Sequence, residues 1–190
     1  VGGHALGGDQ VEHHAGVVAD LLGRLHRRLD GLLDHRRLRL VVDVLRVQPV
    51  YPELLEIDRF ALAQAQMMAT AMEGDYGRYE FHLVVQRLQT FCSEDLGGFY
   101  LDVLKDRLYT TGRTSAERRS AQTALALIRD TLLQLMAPVL SFTAEEAWRI
   151  VRPGDASIFC STWVDGLPTL PDAELLTGKW ARILALRATV

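Results

Sequence analysis

The chain has 190 residues, 48% of them apolar, and a net charge of −3 at pH 7, which suits one packed domain of ordinary size with or without an appendage. No run of 18 apolar residues calls for a membrane span, and no basic-then-apolar start marks a signal peptide, so the cytoplasm is the expected address. The acidic balance excludes a domain that grips nucleic acid by overall charge alone; any RNA contact must use a local basic surface.

Cys92 and Cys160 are the two cysteines, and neither belongs to a CxxC pair. Their separation argues against a disulfide framework and against a structural zinc site.

The first 50 residues draw on only ten residue types: Val, Gly, His, Ala, Leu, Asp, Gln, Glu, Arg and Pro. These are the residues encoded by codons beginning with G or C. They make up roughly two-thirds of an ordinary GC-rich proteome, so fifty in a row by chance is on the order of one in a billion. At Tyr51 the restriction ends. In GC-rich genes the third codon position is nearly always G or C, and reading it as the first yields this alphabet. Residues 1 to about 49 are therefore read as an out-of-frame or wrong-strand translation, expected to be disordered or not to pack. The competing reading is a Leu/Arg-rich amphipathic helix over 16–47. Five of the six histidines (His4, His13, His14, His26, His35) lie here, as does the run Arg36, Arg37, Arg39. Neither a metal site nor a nucleic-acid patch is assigned to them.

From 51 onward the apolar residues fall at helical spacing. Over 53–72 they are Leu54, Leu55, Ile57, Phe60, Ala61, Leu62, Ala65, Met68 and Met72, with Gly74-Asp75 expected to break the run. Residues 78–91 repeat the pattern with Phe81, Val84, Val85, Leu88 and Phe91, and 96–108 continue it. Gly97-Gly98 predicts a kink or a close helix crossing. Ser115 is placed as the N-cap of a long helix to about Ala137, stopped by Pro138. Thr143 and Glu146 have the spacing of a capping box for a short helix bearing Trp148. Residues 152–170, with Pro153, Gly154, Gly166 and Pro168, read as an extended loop, and Asp172 as the cap of a last helix still running at Val190. That ending is what a chain truncated at its C-terminus would show. No strand alternation and no internal repeat appear, so the fold class is all-α, an antiparallel helix bundle.

Several blocks occur together and in order: Leu54-Leu55-Glu56-Ile57-Asp58-Arg59-Phe60, Tyr79-Glu80-Phe81-His82, Phe91-Cys92-Ser93, the run 99–109 with Lys105-Asp106-Arg107-Leu108-Tyr109, Arg118-Arg119-Ser120-Ala121-Gln122-Thr123-Ala124, and the run 135–148. This pattern resembles the class I aminoacyl-tRNA synthetases of the Ile/Val/Leu group, most closely the bacterial isoleucyl-tRNA synthetases. It covers 51–190, about three-quarters of the chain. The resemblance implies the helical anticodon-binding domain that follows the Rossmann-type catalytic domain. It implies a parent activity of ATP-dependent attachment of isoleucine to its tRNA. The two ATP-handling signatures, a HIGH-like tetrapeptide and a KMSKS-like pentapeptide, are absent, as is any segment long enough for an editing domain. The expectation is therefore an inactive fragment, with no catalytic residue, no metal and no cofactor of its own. The parent would use ATP with Mg, and zinc in a C-terminal element beyond Val190. The expected partner is tRNA(Ile), with no membrane and no DNA, and the chain is expected to be monomeric. A rival of a different class is a free-standing helical protein-interaction module derived from such a synthetase.

Candidate contacts to tRNA are Arg78, Arg87, Lys105, Arg107, Arg113, Arg118 and Arg119, whose cations match phosphate oxygens. Trp163 is a candidate for stacking on an unpaired base. Against these stands a solvated helix face of ion pairs, such as Lys105 between Asp102 and Asp106. His82 is expected to be partly buried and satisfied, Cys92 to be buried in a helix, and Trp148 to be core. If residues 1–47 do not pack, their amides exchange rapidly by hydrogen–deuterium mass spectrometry; strong protection there would sink that reading.

Overall fold

A computed structural model describes residues 54–162 and 167–188. The readings made for 1–53 and for Trp163 lie outside the described residues. Those described form helices α1 (Glu56–Gly77), α2 (Phe81–Thr90), α3 (Leu101–Thr110), α4 (Ala116–Met136), α5 (Ser141–Val151) and α6 (Ala173–Ala188). A π-helical stretch, Phe91–Tyr100, joins α2 to α3, and a short 3-10 turn, Ile158–Cys160, follows α5. No strand occurs among the described residues, which matches the all-α expectation. None of these helices is long and apolar enough to cross a membrane.

Helix α1 is the hub: α2, α4 and α6 all pack against it. It can be, because its apolar residues are spread around much of its circumference. Ala61, Ala65 and Ala69, four apart, are buried together with Leu62 and Met72, and α4 contributes Ala121, Ala124, Ile128 and Leu135 to the same core. Small side chains on both helices allow their axes to approach closely. A smaller cluster of Leu133, Ala137, Ala144, Trp148 and Ile158 lies under α5. Trp148 is core, as expected, and its indole Nε1 donates to the Ala156 carbonyl at 3.1 Å.

The sequence reads 78–91 and 96–108 as helical runs with a kink between them; the structure makes 81–110 one continuous rod. Its buried residues are Val84, Phe91, Leu96, Tyr100 and Leu104. The step from Phe91 to Leu96 is five residues, whereas the following steps are four. An α-helix would carry Leu96 away from the core, since residues sharing a face recur at three and four. The wider π turns absorb the extra residue and keep the stripe facing inward. Glycine permits this: a Cβ at Gly97 would sit 3.0 Å from the Cys92 carbonyl oxygen, and one at Gly98 would sit 3.3 Å from that of Ser93. In each case the oxygen belongs to the residue five back.

Other local readings change. Helix α1 runs through Gly74-Asp75 to Gly77, because Asp75 is ion-paired in the interior and not a surface breaker. The Thr143–Glu146 capping box does not form: α5 begins at Ser141, with Leu140 at the N-cap and no side-chain cap, so Thr143 is already in the first turn. Ser115 does cap α4, its hydroxyl accepting from the Arg118 backbone N–H at 3.2 Å. Asp172 directly precedes α6. Its carbonyl accepts from the Leu176 amide, while its carboxylate pairs with Arg59 on α1 at 2.9 Å. Trp180 completes the attachment of α6 by stacking on Phe60, ring centroids 5.2 Å apart, and meeting Phe99 at 5.8 Å.

One buried polar centre joins four elements. The Asp58 carboxylate, fully buried in the first turn of α1, accepts from the Tyr100 hydroxyl at 2.8 Å and from Arg107 Nη1 and Nη2 at 3.1 and 2.7 Å. It also accepts from the Ser120 hydroxyl, which itself accepts the Leu55 amide at 2.8 Å. Removing the carboxylate strands a buried guanidinium, which typically costs about 3–5 kcal/mol. Asp58→Ala should therefore lower the stability measured by urea unfolding by about that amount. A loss within ~0.5 kcal/mol, the usual range for a surface substitution, would mean that Arg107 escapes to water when its partner goes.

Candidate nucleic-acid interface

The candidate cations divide by what holds them. Arg107 is largely enclosed, its side chain 17% exposed; besides Asp58 it donates to the Glu117 carbonyl at 2.7 Å. Arg118 is buried on the first turn of α4 and donates through Nη1 to the Leu108 carbonyl at 2.7 Å, closing the free C-terminal end of α3. Both guanidinium groups are engaged within the fold through their Nη atoms, and the buried Arg107 Nε has no hydrogen-bond partner among the described residues. Lys105 is exposed and bonded to Asp102 at 2.8 Å, half of the Asp102–Lys105–Asp106 ion-pair pattern read in the sequence. That contact holds the Asp102 carboxyl below its usual range. Arg113, in the loop between α3 and α4, and Arg119, on the first turn of α4, are exposed. Neither side chain enters an ion pair among the described residues.

Arg78 and Arg87 come together at the turn between α1 and α2. Asp75, fully buried, accepts Arg78 Nη2 on Oδ1 and Arg87 Nε on Oδ2, each at 2.5 Å. Arg78 Nε also donates to Glu80 at 2.7 Å. One interior carboxylate thus orients two guanidinium groups whose outer portions face solvent. Arg87 also borders an open groove of about 530 Å³ between α1 and the α2–π rod, lined among others by Met67, Leu83, Phe91, Gln64 and Asp95. Gln64 Nε2 donates to Asp95 at 2.9 Å, although burial still pushes that carboxyl above its usual range.

The same turn carries an aromatic series. Tyr76 donates its hydroxyl to the Leu135 carbonyl at 2.7 Å, and partial burial raises its pKa to about 12. Phe81 meets Tyr76 edge-on at 6.1 Å, and Tyr79 meets Phe81 edge-on at 6.1 Å. His82, expected to be partly buried, is exposed. It occupies the first turn of α2, on the side away from the buried Val84. Cys92 is half-buried in the π stretch, and burial pushes its thiol pKa upward.

Tyr79 was not among the residues singled out from the sequence as contacts. It is the one non-glycine with positive φ (59°) among the described residues. The Tyr79 amide donates to the Tyr76 carbonyl and the Glu80 amide to the Asp75 carbonyl, the pair of bonds that closes a helix C-terminus around a left-handed residue. That residue is usually glycine, so a tyrosine there gives no local signal by which a sequence reader could find it.

A family model described as "Anticodon-binding domain of tRNA ligase" matches residues 58–189. An isoleucine–tRNA ligase of Bordetella pertussis is 58% identical over 74% of this chain. One of Paraburkholderia phytofirmans is 57% identical over 72%, and one of Bordetella avium is 52% identical over 74%. The matched part spans 14–16% of the length of these relatives.

Asp75 allows a check on the turn itself. The Arg87 hydrogen bond is the main influence holding its carboxyl below the ordinary value of 3.8. A carboxyl depressed in the folded state adds stability that is present above its unfolded pKa and is lost as pH falls through its folded pKa. From about pH 5 down to about pH 2 the unaltered chain should therefore lose stability more steeply than Asp75→Asn, read from thermal midpoints. Parallel curves would show that the Arg78–Asp75–Arg87 arrangement is not formed in solution.

Proposed function

The chain belongs to the family of anticodon-binding domains of tRNA ligases, and from that premise we propose that residues 58–189 dock the anticodon arm of tRNA(Ile) for an isoleucine–tRNA ligase. The observation that carries this is the family match over 58–189 together with relatives that are isoleucine–tRNA ligases at 52–58% identity. The parent joins isoleucine to its tRNA at the expense of ATP, in the cytoplasm, and this domain acts as a single copy. Chemistry with ATP, Mg and zinc is assigned to other parts of that parent.

Docking here is a division of labour between charge and shape. Phosphate contacts fix register without reading sequence, while bases in the open loop supply identity. Arg78, Arg87, Lys105, Arg113 and Arg119 lie on the surface and are the phosphate contacts. Arg107 and Arg118 act one step back, holding α3 and α4 so that the loop bearing Arg113 has a fixed place. With a net charge of −3, binding by the isolated chain is weak and falls steeply with salt.

A second reading, a helical module that binds protein, is favoured by large apolar side chains left in solvent, Phe142 at 93% and Leu175 at 78% exposure. Fluorescence anisotropy with labelled anticodon-arm hairpins separates the two. The tRNA(Ile) hairpin should bind more tightly than one with another anticodon. The double variant Arg113→Glu, Arg119→Glu should lose affinity and flatten the salt dependence by about one unit of slope for each phosphate contact removed. Equal affinity for every anticodon, with no change in the double variant, would leave the protein-binding reading in place.

A further inference from the structure

We propose that Tyr79 is a stacking platform for an unpaired RNA base, with Arg78 and Arg87 taking the phosphates beside it; the inference rests on the tRNA-arm reading above and assigns one of its contacts. The fold declines an economy at the end of α1. Position 79 must adopt φ 59° for α1 to close with its two terminal hydrogen bonds. Glycine does this without strain, and a bulky aromatic residue does not. A tyrosine there would be explained if its ring packed into the core, but the ring is 80% exposed, and its ring contact is the edge of Phe81. The fold bears the strain and draws little packing from it. Residues held in strained backbone conformations cluster at active sites, ligand clamps and switch regions.

The turn is also preorganised. The series Tyr76–Phe81–Tyr79 is anchored at its inner end by the Tyr76 hydroxyl on the Leu135 carbonyl. The Phe81–Tyr79 contact is edge-to-face at 82°, so the two rings do not stack. Backbone bonds on either side of Tyr79 fix where its ring begins. A base can therefore stack without first ordering the loop, and stacking accepts any base because every base has a π face.

Two cations are held at the same turn. Arg78 is adjacent in the chain, and Arg87 reaches the same buried carboxylate from α2. A guanidinium has five N–H donors. Those given to Asp75 and Glu80 leave others free on both groups, directed by a carboxylate that is itself out of solvent. An aromatic face at a turn that also holds two oriented cations matches a nucleotide, a flat base joined to a phosphate, better than it matches an aliphatic protein surface.

The experiment uses the full chain and tRNA(Ile) anticodon-arm hairpins carrying 2-aminopurine at one loop position at a time. Tyr79→Gly keeps the left-handed turn and removes the ring, and Tyr79→Phe keeps the ring. Tyr79→Gly should melt at a higher temperature than the unaltered chain, yet bind the hairpin about tenfold more weakly, the size expected for one lost base–aromatic stack. Tyr79→Phe should bind within about twofold, since the stack needs the ring and not the hydroxyl. One 2-aminopurine position should be quenched by the unaltered chain and by Tyr79→Phe, but not by Tyr79→Gly. If the unaltered chain binds and Tyr79→Gly binds equally well, the platform is wrong and the tRNA-arm reading stands. If the unaltered chain binds no hairpin, the tRNA-arm reading fails and takes the platform with it.

Discussion

Four elements of this bundle meet at a single buried carboxylate. Asp58 sits in the first turn of α1, and its partners come from the π stretch (Tyr100), α3 (Arg107) and α4 (Ser120). A carboxylate has about four lone-pair directions, and these contacts fill them. That is the condition under which a buried charge is tolerable, because a charge removed from water needs both a counter-ion and a full set of hydrogen bonds. Such a centre is a poor source of net stability compared with an apolar replacement, but it is intolerant of misalignment. It works only if the α2–π–α3 rod has the rotation that aims Tyr100 and Arg107 at α1.

The π stretch supplies that rotation. Between Phe91 and Leu96 the chain accommodates one more residue than an α-helical face allows, and Gly97 and Gly98 leave room for the carbonyls five residues back. With the stripe restored, Leu104 stays in the core and Arg107, three residues on, reaches Asp58. Arg118 then closes the end of α3 from α4. The loop carrying Arg113 is thereby tied at both ends. Which basic side chains stay on the surface is thus a consequence of interior polar geometry and not of net charge, which is acidic.

Asp75 repeats the logic at the other end of α1, with a different result. There the buried carboxylate faces outward-reaching arginines and not an enclosed one. It holds two cations whose outer portions remain in solvent, whereas Asp58 confines a cation for internal order. Arg87 and Arg107 look alike as basic residues on amphipathic helices, yet one borders an open groove and the other is enclosed. Their difference lies in which acidic residue of α1 each one meets.

Much could be read from the sequence because it depends on short-range periodicity: the all-α class, the core stripes of α1 and α4, the Ser115 cap, the stop at Pro138 and Trp148 in the core. The ordered blocks over 51–190 pointed to the same family that the comparison of 58–189 finds. Contacts between residues far apart in the chain could not be read in this way. Asp58 looks like any first-turn acid until partners 42, 49 and 62 residues away converge on it. Arg107 and Arg118 look like RNA contacts until the interior claims them. The left-handed backbone of Tyr79 and the exposure of His82 depend on how α1 ends against its neighbours, and a linear pattern carries no record of that. Local spacing determines which faces are apolar, and so which helices form. Which charges stay in water is decided only when the helices pack, because the cost of burying an ion depends on partners that the fold alone brings within hydrogen-bonding distance.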